Sequence, residues 1–177
     1  MKLMPQGDFD KVYQLMEVSF SSDEHRTYEE EKELLCRSEY EIYVLPDETS
    51  DDIKAFMAVW EFDSIVYLEH FAVNPKFRNE GIGSDMIQEL LCMFSKKICL
   101  EVELPEEKLA ARRIEFYRRN GFSLNEFPYM QPSISQGRKS IPLRIMTSGG
   151  VVSEREFNDI VGLLYGEVYQ TSVPEKF

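Results

Sequence analysis

Tyr67-Leu68-Glu69-His70-Phe71-Ala72-Val73-Asn74-Pro75-Lys76-Phe77-Arg78-Asn79-Glu80-Gly81-Ile82-Gly83-Ser84 reads as a strand, a stop and a helix start. Apolar residues dominate up to Val73, and Asn74-Pro75 ends the run. Gly81 and Gly83 then open an amphipathic helix over about 84–96, with Met86, Ile87, Leu90, Leu91 and Phe94 as its apolar stripe. Glycine lets the main chain approach a ligand closely, because no Cβ intervenes. The first N–H groups of a helix lack partners, and the helix dipole favours negative charge there. Arg78 adds a permanent cation with a planar fork. Together these features suit a pyrophosphate, although two glycines alone also fit a plain turn. The segment has neither the G-K-[ST] ending of a nucleotide P-loop nor a G-x-G-x-x-G fingerprint.

Working outward, Asp8 caps a helix expected over 9–20, with Phe9, Val12, Leu15, Met16 and Ser19 on one face. A polar link over 21–26 leads to a second expected helix, 28–37. Its acidic run Glu29 to Glu33 reads as a solvated face. Strands are expected over 40–45, 53–62 and 64–73, joined by hairpins. Beyond the glycines, 98–104 alternates as a strand, and 108–120 is a helix closed by Gly121 in the left-handed position. Further strands are expected over 122–127 and 143–146, with 128–142 as a loop. In that loop Tyr129, Gln131 and Arg138 either line a pocket or stay solvated. Phe157, Ile160, Val161, Leu164 and Val168 recur at helical spacing in the tail, behind a capping box from Ser153 to Glu156. Alternating helices and strands with hairpins predict an α/β (α+β) fold, a mixed sheet with helices on both faces.

The chain has 177 residues, 43% of them hydrophobic and 12% aromatic, enough for one packed core. No apolar run approaches the roughly 20 residues of a membrane helix, and the N-terminus has no signal-peptide pattern. The expected location is cytoplasmic, with no membrane partner. A net charge of −12 argues against nucleic acid. It fits solubility alone, or electrostatic steering of a cationic substrate. Cys36, Cys92 and Cys99 form no C-x-x-C pair, and Cys92 and Cys99 are expected to be buried. His25 and His70 form no H-x-x-x-H pair, so no metal site is expected.

Arg78-Asn79-Glu80-Gly81-Ile82-Gly83 resembles the R/Q-x-x-G-x-G/A signature of the GNAT family of N-acetyltransferases. The acidic strand Leu100-Glu101-Val102-Glu103-Leu104 follows at the family's distance. Arg113-Ile114-Glu115-Phe116-Tyr117-Arg118-Arg119-Asn120-Gly121-Phe122 is similar to the family's F-Y-x-x-x-G-F motif. The resemblance implies a mixed, mostly antiparallel sheet with splayed central strands. It divides the chain into an acetyltransferase-like domain, 1–148, and a C-terminal helix, 149–177. That helix packs on the domain or on a second copy, which leaves a homodimer open.

By the same resemblance the co-substrate is acetyl-CoA and the acceptor is a primary amine of a small molecule or peptide. Phe71, Ala72 and Val73 would pair with pantetheine. Arg78, Asn79, Glu80, Gly81, Ile82, Gly83 and Ser84 would hold the pyrophosphate. The asparagine that many members carry near the next helix start is missing from 106–111. Tyr117 matches the family's proton donor to the leaving thiol, with core packing as the plainer role. Glu69, inside an apolar strand, is the candidate general base, with a pKa expected to rise through desolvation. Its alternative is an ion pair with Arg112, Arg113 or another cation. His70 is the second base candidate if a bulge turns it, and Glu101 and Glu103 are further acids that could face the acceptor. Two other functions stay open: a CoA-binding regulatory module without turnover, and an acyltransferase with another acyl donor or a hydroxyl acceptor.

Overall fold

A computed structural model describes residues 1–174. The chain divides into two compact units, one ending at Ile98 and one beginning at Cys99. The expected α/β class is found: eight strands and five α-helices among the described residues.

In the first unit an antiparallel sheet runs β1 (Lys2–Leu3), β2 (Tyr40–Pro46), β3 (Ile53–Glu61), β4 (Ile65–Val73) in spatial order. Every residue of β3 from Ala55 to Trp60 is buried. Successive strand residues face opposite ways, so both faces of β3 are covered. Helix α1 (Phe9–Ser19) packs on β3 and β4 through a face that buries Phe9, Val12, Leu15 and Met16. Each such side chain contributes about 1.5–3 kcal/mol when fully buried. Helix α3 (Ile82–Met93) packs on β4 through Ile82, Met86, Ile87 and Leu90. Helix α2 (Tyr28–Leu34) is shorter than expected. The chain after it closes i→i−3 hydrogen bonds, Cys36 N–H to Glu33 and Arg37 N–H to Leu34, and winds out of α geometry. Its start is a Thr27–Glu30 capping box.

In the second unit β8 (Ile141–Ser148) is the central strand. It pairs antiparallel with β5 (Lys97–Glu103), β6 (Phe122–Leu124) and β7 (Tyr129–Gln131). Helix α4 (Lys108–Arg119) buries Ala110, Ile114 and Tyr117. Gly121 follows at φ 94°, the left-handed close expected of it. Strand β7 lies inside the segment expected to be a loop, and β6 stops three residues short of the expected end. Three-residue strands carry too little alternation to be read from sequence. Helix α5 (Glu154–Leu163) starts at the Ser153–Glu156 capping box. It then widens into a π-turn over Leu164–Val168. Its apolar stripe, Phe157 through Val168, is buried within the single chain.

The cysteines are free; Cys99 is buried as expected, but Cys92 is exposed. It lies on the outward side of α3, next to the exposed Met93, while Met86, Ile87 and Leu90 form the buried side.

Candidate active site

The elbow after β4 has the geometry that its glycines suggest. Asn74 stops the strand. Its side chain accepts from Lys76 N–H at 3.1 Å and donates to Ile53 carbonyl at 3.1 Å. A 3-10 turn, Pro75–Phe77, leads to Arg78, whose Nε–H donates to Val73 carbonyl at 3.3 Å. That bond ties the exposed guanidinium to the end of β4. Asn79 (φ 68°) and Gly81 (φ 84°) both adopt the left-handed conformation. A Cβ at Gly81 would meet nothing closer than Asp85 Oδ2 at 3.9 Å, so backbone angle rather than crowding selects glycine here. The start of α3 has no side-chain cap. The N–H groups of its first turn therefore remain available to an anion. Glu80 and Asp85 are exposed carboxylates beside this turn, so Arg78 and the helix dipole act against local negative charge.

In β4, Phe71, Ala72 and Val73 pair with Met57, Phe56 and Ala55. Just before them the register skips. Ala58 faces His70 while Val59 faces Leu68, which leaves Glu69 as the extra residue of a β-bulge.

The expected rise in Glu69 pKa is corrected by the structure. Its side chain is only 2% exposed, and burial alone would raise its pKa. The Arg26 guanidinium, with smaller help from His70 and the Trp60 indole, more than offsets burial and holds the carboxyl below its usual range. Arg26 Nη1 donates to Glu69 Oε1 at 2.7 Å, and Trp60 Nε1 donates to Oε2 at 2.7 Å. The pairing cation is thus Arg26, from the link before α2. Arg112 is exposed, and Arg113 instead pairs with Glu103 at 2.5 Å.

Arg26 also lies 3.7 Å from Glu31, whose side chain is fully buried and accepts a short hydrogen bond from Tyr40. Glu31 therefore departs from the solvated face expected for its acidic run. Burial, then Glu31 and Glu69, push the Tyr40 hydroxyl well above its usual pKa. His70, also buried, donates from Nε2 to Glu24 carbonyl at 2.9 Å and packs edge-on against Phe20. Nothing in the sequence marked Arg26 out from other residues of a polar link.

In the second unit Tyr117 is buried among Phe116 and Phe122. Its hydroxyl has no hydrogen-bond partner among the described residues. Burial pushes its pKa up to about 12; Arg113 opposes the shift and Glu103 adds to it. The phenol therefore stays protonated at neutral pH. Tyr129 and Gln131, in the expected loop, are both buried.

A family profile described as Acetyltransferase (GNAT) domain matches residues 38–124. A solved GNAT-family acetyltransferase from Bacteroides thetaiotaomicron is 32% identical, with a TM-score of 0.88 over 97% of this chain and 100% of that one. The chain belongs to the GNAT acetyltransferase family. A variant of the spermidine N-acetyltransferase SpeG from Vibrio cholerae shares the GNAT fold at 15% identity. Its TM-score is 0.60, over 82% of this chain and 90% of that one. An aminoglycoside 6′-N-acetyltransferase complexed with coenzyme A does so at 14% identity. Its TM-score is 0.59, over 84% of this chain and 96% of that one. No curated protein matches the sequence. Among the described residues no helix is long and apolar enough to cross a membrane. Nor do the described residues contain a group of three or more His, Cys, Asp or Glu side chains placed to hold a metal ion. The elbow at 78–84 and the Phe116-Tyr117 pair fall inside the matched segment.

Proposed function

We propose that this GNAT protein transfers an acetyl group from acetyl-CoA to a primary amine by direct attack. The observation that carries this is the elbow: two left-handed residues, an uncapped α3 start and an anchored Arg78. Those are the requirements of a pyrophosphate site, and Arg78 through Ser84 would hold it. The main chain of Phe71, Ala72 and Val73 would pair with pantetheine, and the bulge at Glu69 fixes where that segment begins.

In the reaction the neutral amine nitrogen bonds to the thioester carbonyl carbon, and the carbon–sulfur bond breaks. The sulfur takes a proton, for which we assign Tyr117: it is protonated at neutral pH, and no internal hydrogen bond holds its hydroxyl. The amine's own proton leaves to a base. Glu69 is poorly suited to that role, since both its oxygens are bonded and its proton affinity is lowered. We assign Glu69 the positioning of the β4 bulge instead. Because acetyl-CoA is an intracellular donor, we place the reaction in the cytoplasm.

The test is free-thiol release from acetyl-CoA in the presence of an amine panel. Amine-dependent release that falls in the Tyr117→Phe variant supports the assignment. Thermal stabilisation by acetyl-CoA with no release for any amine would mark a CoA-binding module without turnover.

A further inference from the structure

Glu101 on β5 sits at the meeting point of a tyrosine cluster in the second unit. Tyr129 donates a short hydrogen bond to Oε1, and Tyr169 lies 3.0 Å from Oε1 and 2.9 Å from Oε2. Tyr165 stands between these two rings, edge-on to Tyr129 and Tyr169, each with centroids 6.3 Å away. Its own hydroxyl is tied to Met130 carbonyl. Tyr165 and Tyr169 share one face of the chain because they are four residues apart across the π-turn. Such turns are rare and often accompany functional sites.

A second observation points to a ligand. Gln131 lies two residues after Tyr129 on β7, hence on the same face of the strand. It is 4% exposed, and its Nε2 has no hydrogen-bond partner among the described residues. A buried donor without an acceptor costs about 1–3 kcal/mol unless something satisfies it.

Resting on the amine-acetylation reading above, we infer that Glu101 with Tyr129, Tyr165 and Tyr169 forms the subsite that recognises the acceptor's ammonium group, and that Gln131 donates to an oxygen on the same molecule. The tyrosine hydroxyls orient the carboxylate as an acceptor. The negative charge of the carboxylate that these hydroxyls hold favours a cation over a neutral group. The acceptor class is therefore a small amine that also carries a hydroxyl or carbonyl oxygen.

The test is a titration of the full chain with isotope-labelled tyrosine rings, using aminobutanol and butanediol, without acetyl-CoA. The two compounds differ only by an ammonium in place of a hydroxyl. Aminobutanol is expected to shift the Tyr129, Tyr165 and Tyr169 resonances and to bind about tenfold or more tightly than butanediol. Glu101→Gln, whose amide oxygen still accepts the tyrosine hydrogen bonds, should erase that difference. Tyr169→Phe should reduce it in a fold that retains the Tyr129 contact. Equal binding of the two compounds, or a preference that survives Glu101→Gln, would overturn the inference and leave the cluster as an anchor for the C-terminal helix. Because no acetyl-CoA is present, failure of this titration leaves amine-dependent thiol release as a separate question, and failure of thiol release leaves the titration readable.

Discussion

Replacing Arg26 with methionine removes one cation from between two buried carboxylates. Glu69 Oε1 is 2.7 Å and Glu31 Oε2 3.7 Å from its guanidinium, and the three side chains are at most 6% exposed. Removing one partner of a buried ion pair costs about 3–5 kcal/mol, because the remaining charge is uncompensated. For a chain of this size that lowers the melting temperature by about 10 °C. The loss depends on pH, and its sign follows from Glu69. In the parent protein the folded pKa of Glu69 is depressed, so its contribution is present above the unfolded value of about 4.3 and fades as pH falls through the folded one. Without Arg26, burial is the dominant effect on Glu69, its folded pKa rises, and stability falls as pH rises through that value. The gap between parent and variant should therefore be widest near neutral pH and narrow toward about pH 4. Thermal unfolding followed by circular dichroism across that range measures it. The paired change Arg26→Met with Glu69→Gln should recover part of the loss. A cost under about 1 kcal/mol, typical of surface pairs, or a gap that does not vary with pH, would refute the account of this cluster.

Three further outcomes are expected. Tyr117→Phe should lower the turnover number by about a hundredfold or more while leaving CoA affinity unchanged; since Tyr117 is pushed up to about 12, any alkaline limb near neutral pH must come from another group. Gly81→Ala should cost about 1–2 kcal/mol through its φ of 84°, and calorimetry should show weaker CoA binding than in the parent. Asn125→Ala should cost about 1–3 kcal/mol in denaturant unfolding, because the buried Asn125 side chain accepts from Val152 N–H at 2.9 Å and donates to Ile145 carbonyl and Thr147 Oγ1 at 3.0 Å.

The elbow was legible in the sequence because its signals are local. Glycines, an Asn-Pro stop and a 3.6-residue apolar period each act within a few residues of where they are written. The same holds for the Gly121 close and the Ser153–Glu156 box, both seen in the structure. The Arg26–Glu69–Glu31 cluster was hidden because it joins residues 43 and 38 positions apart, and no local pattern tells a buried arginine from a solvated one. Desolvation of Glu69 could be anticipated from its apolar strand; the cation that reverses its effect could not. Tyr129 and Gln131 were placed in a loop because β7 is too short to show alternation, and their burial comes from packing that only the tertiary structure supplies. The Thr27–Glu30 box was also readable, at the boundary between the polar link 21–26 and the helix expected from 28.

The most direct measurement is mass-spectrometric detection of products after incubating the protein with acetyl-CoA and a pooled amine library. The account predicts at least one amine gaining a single acetyl group, with matching free CoA, and loss of that product when Tyr117 is replaced by phenylalanine. Acetyl-CoA that binds the protein yet yields no acetylated amine would contradict it.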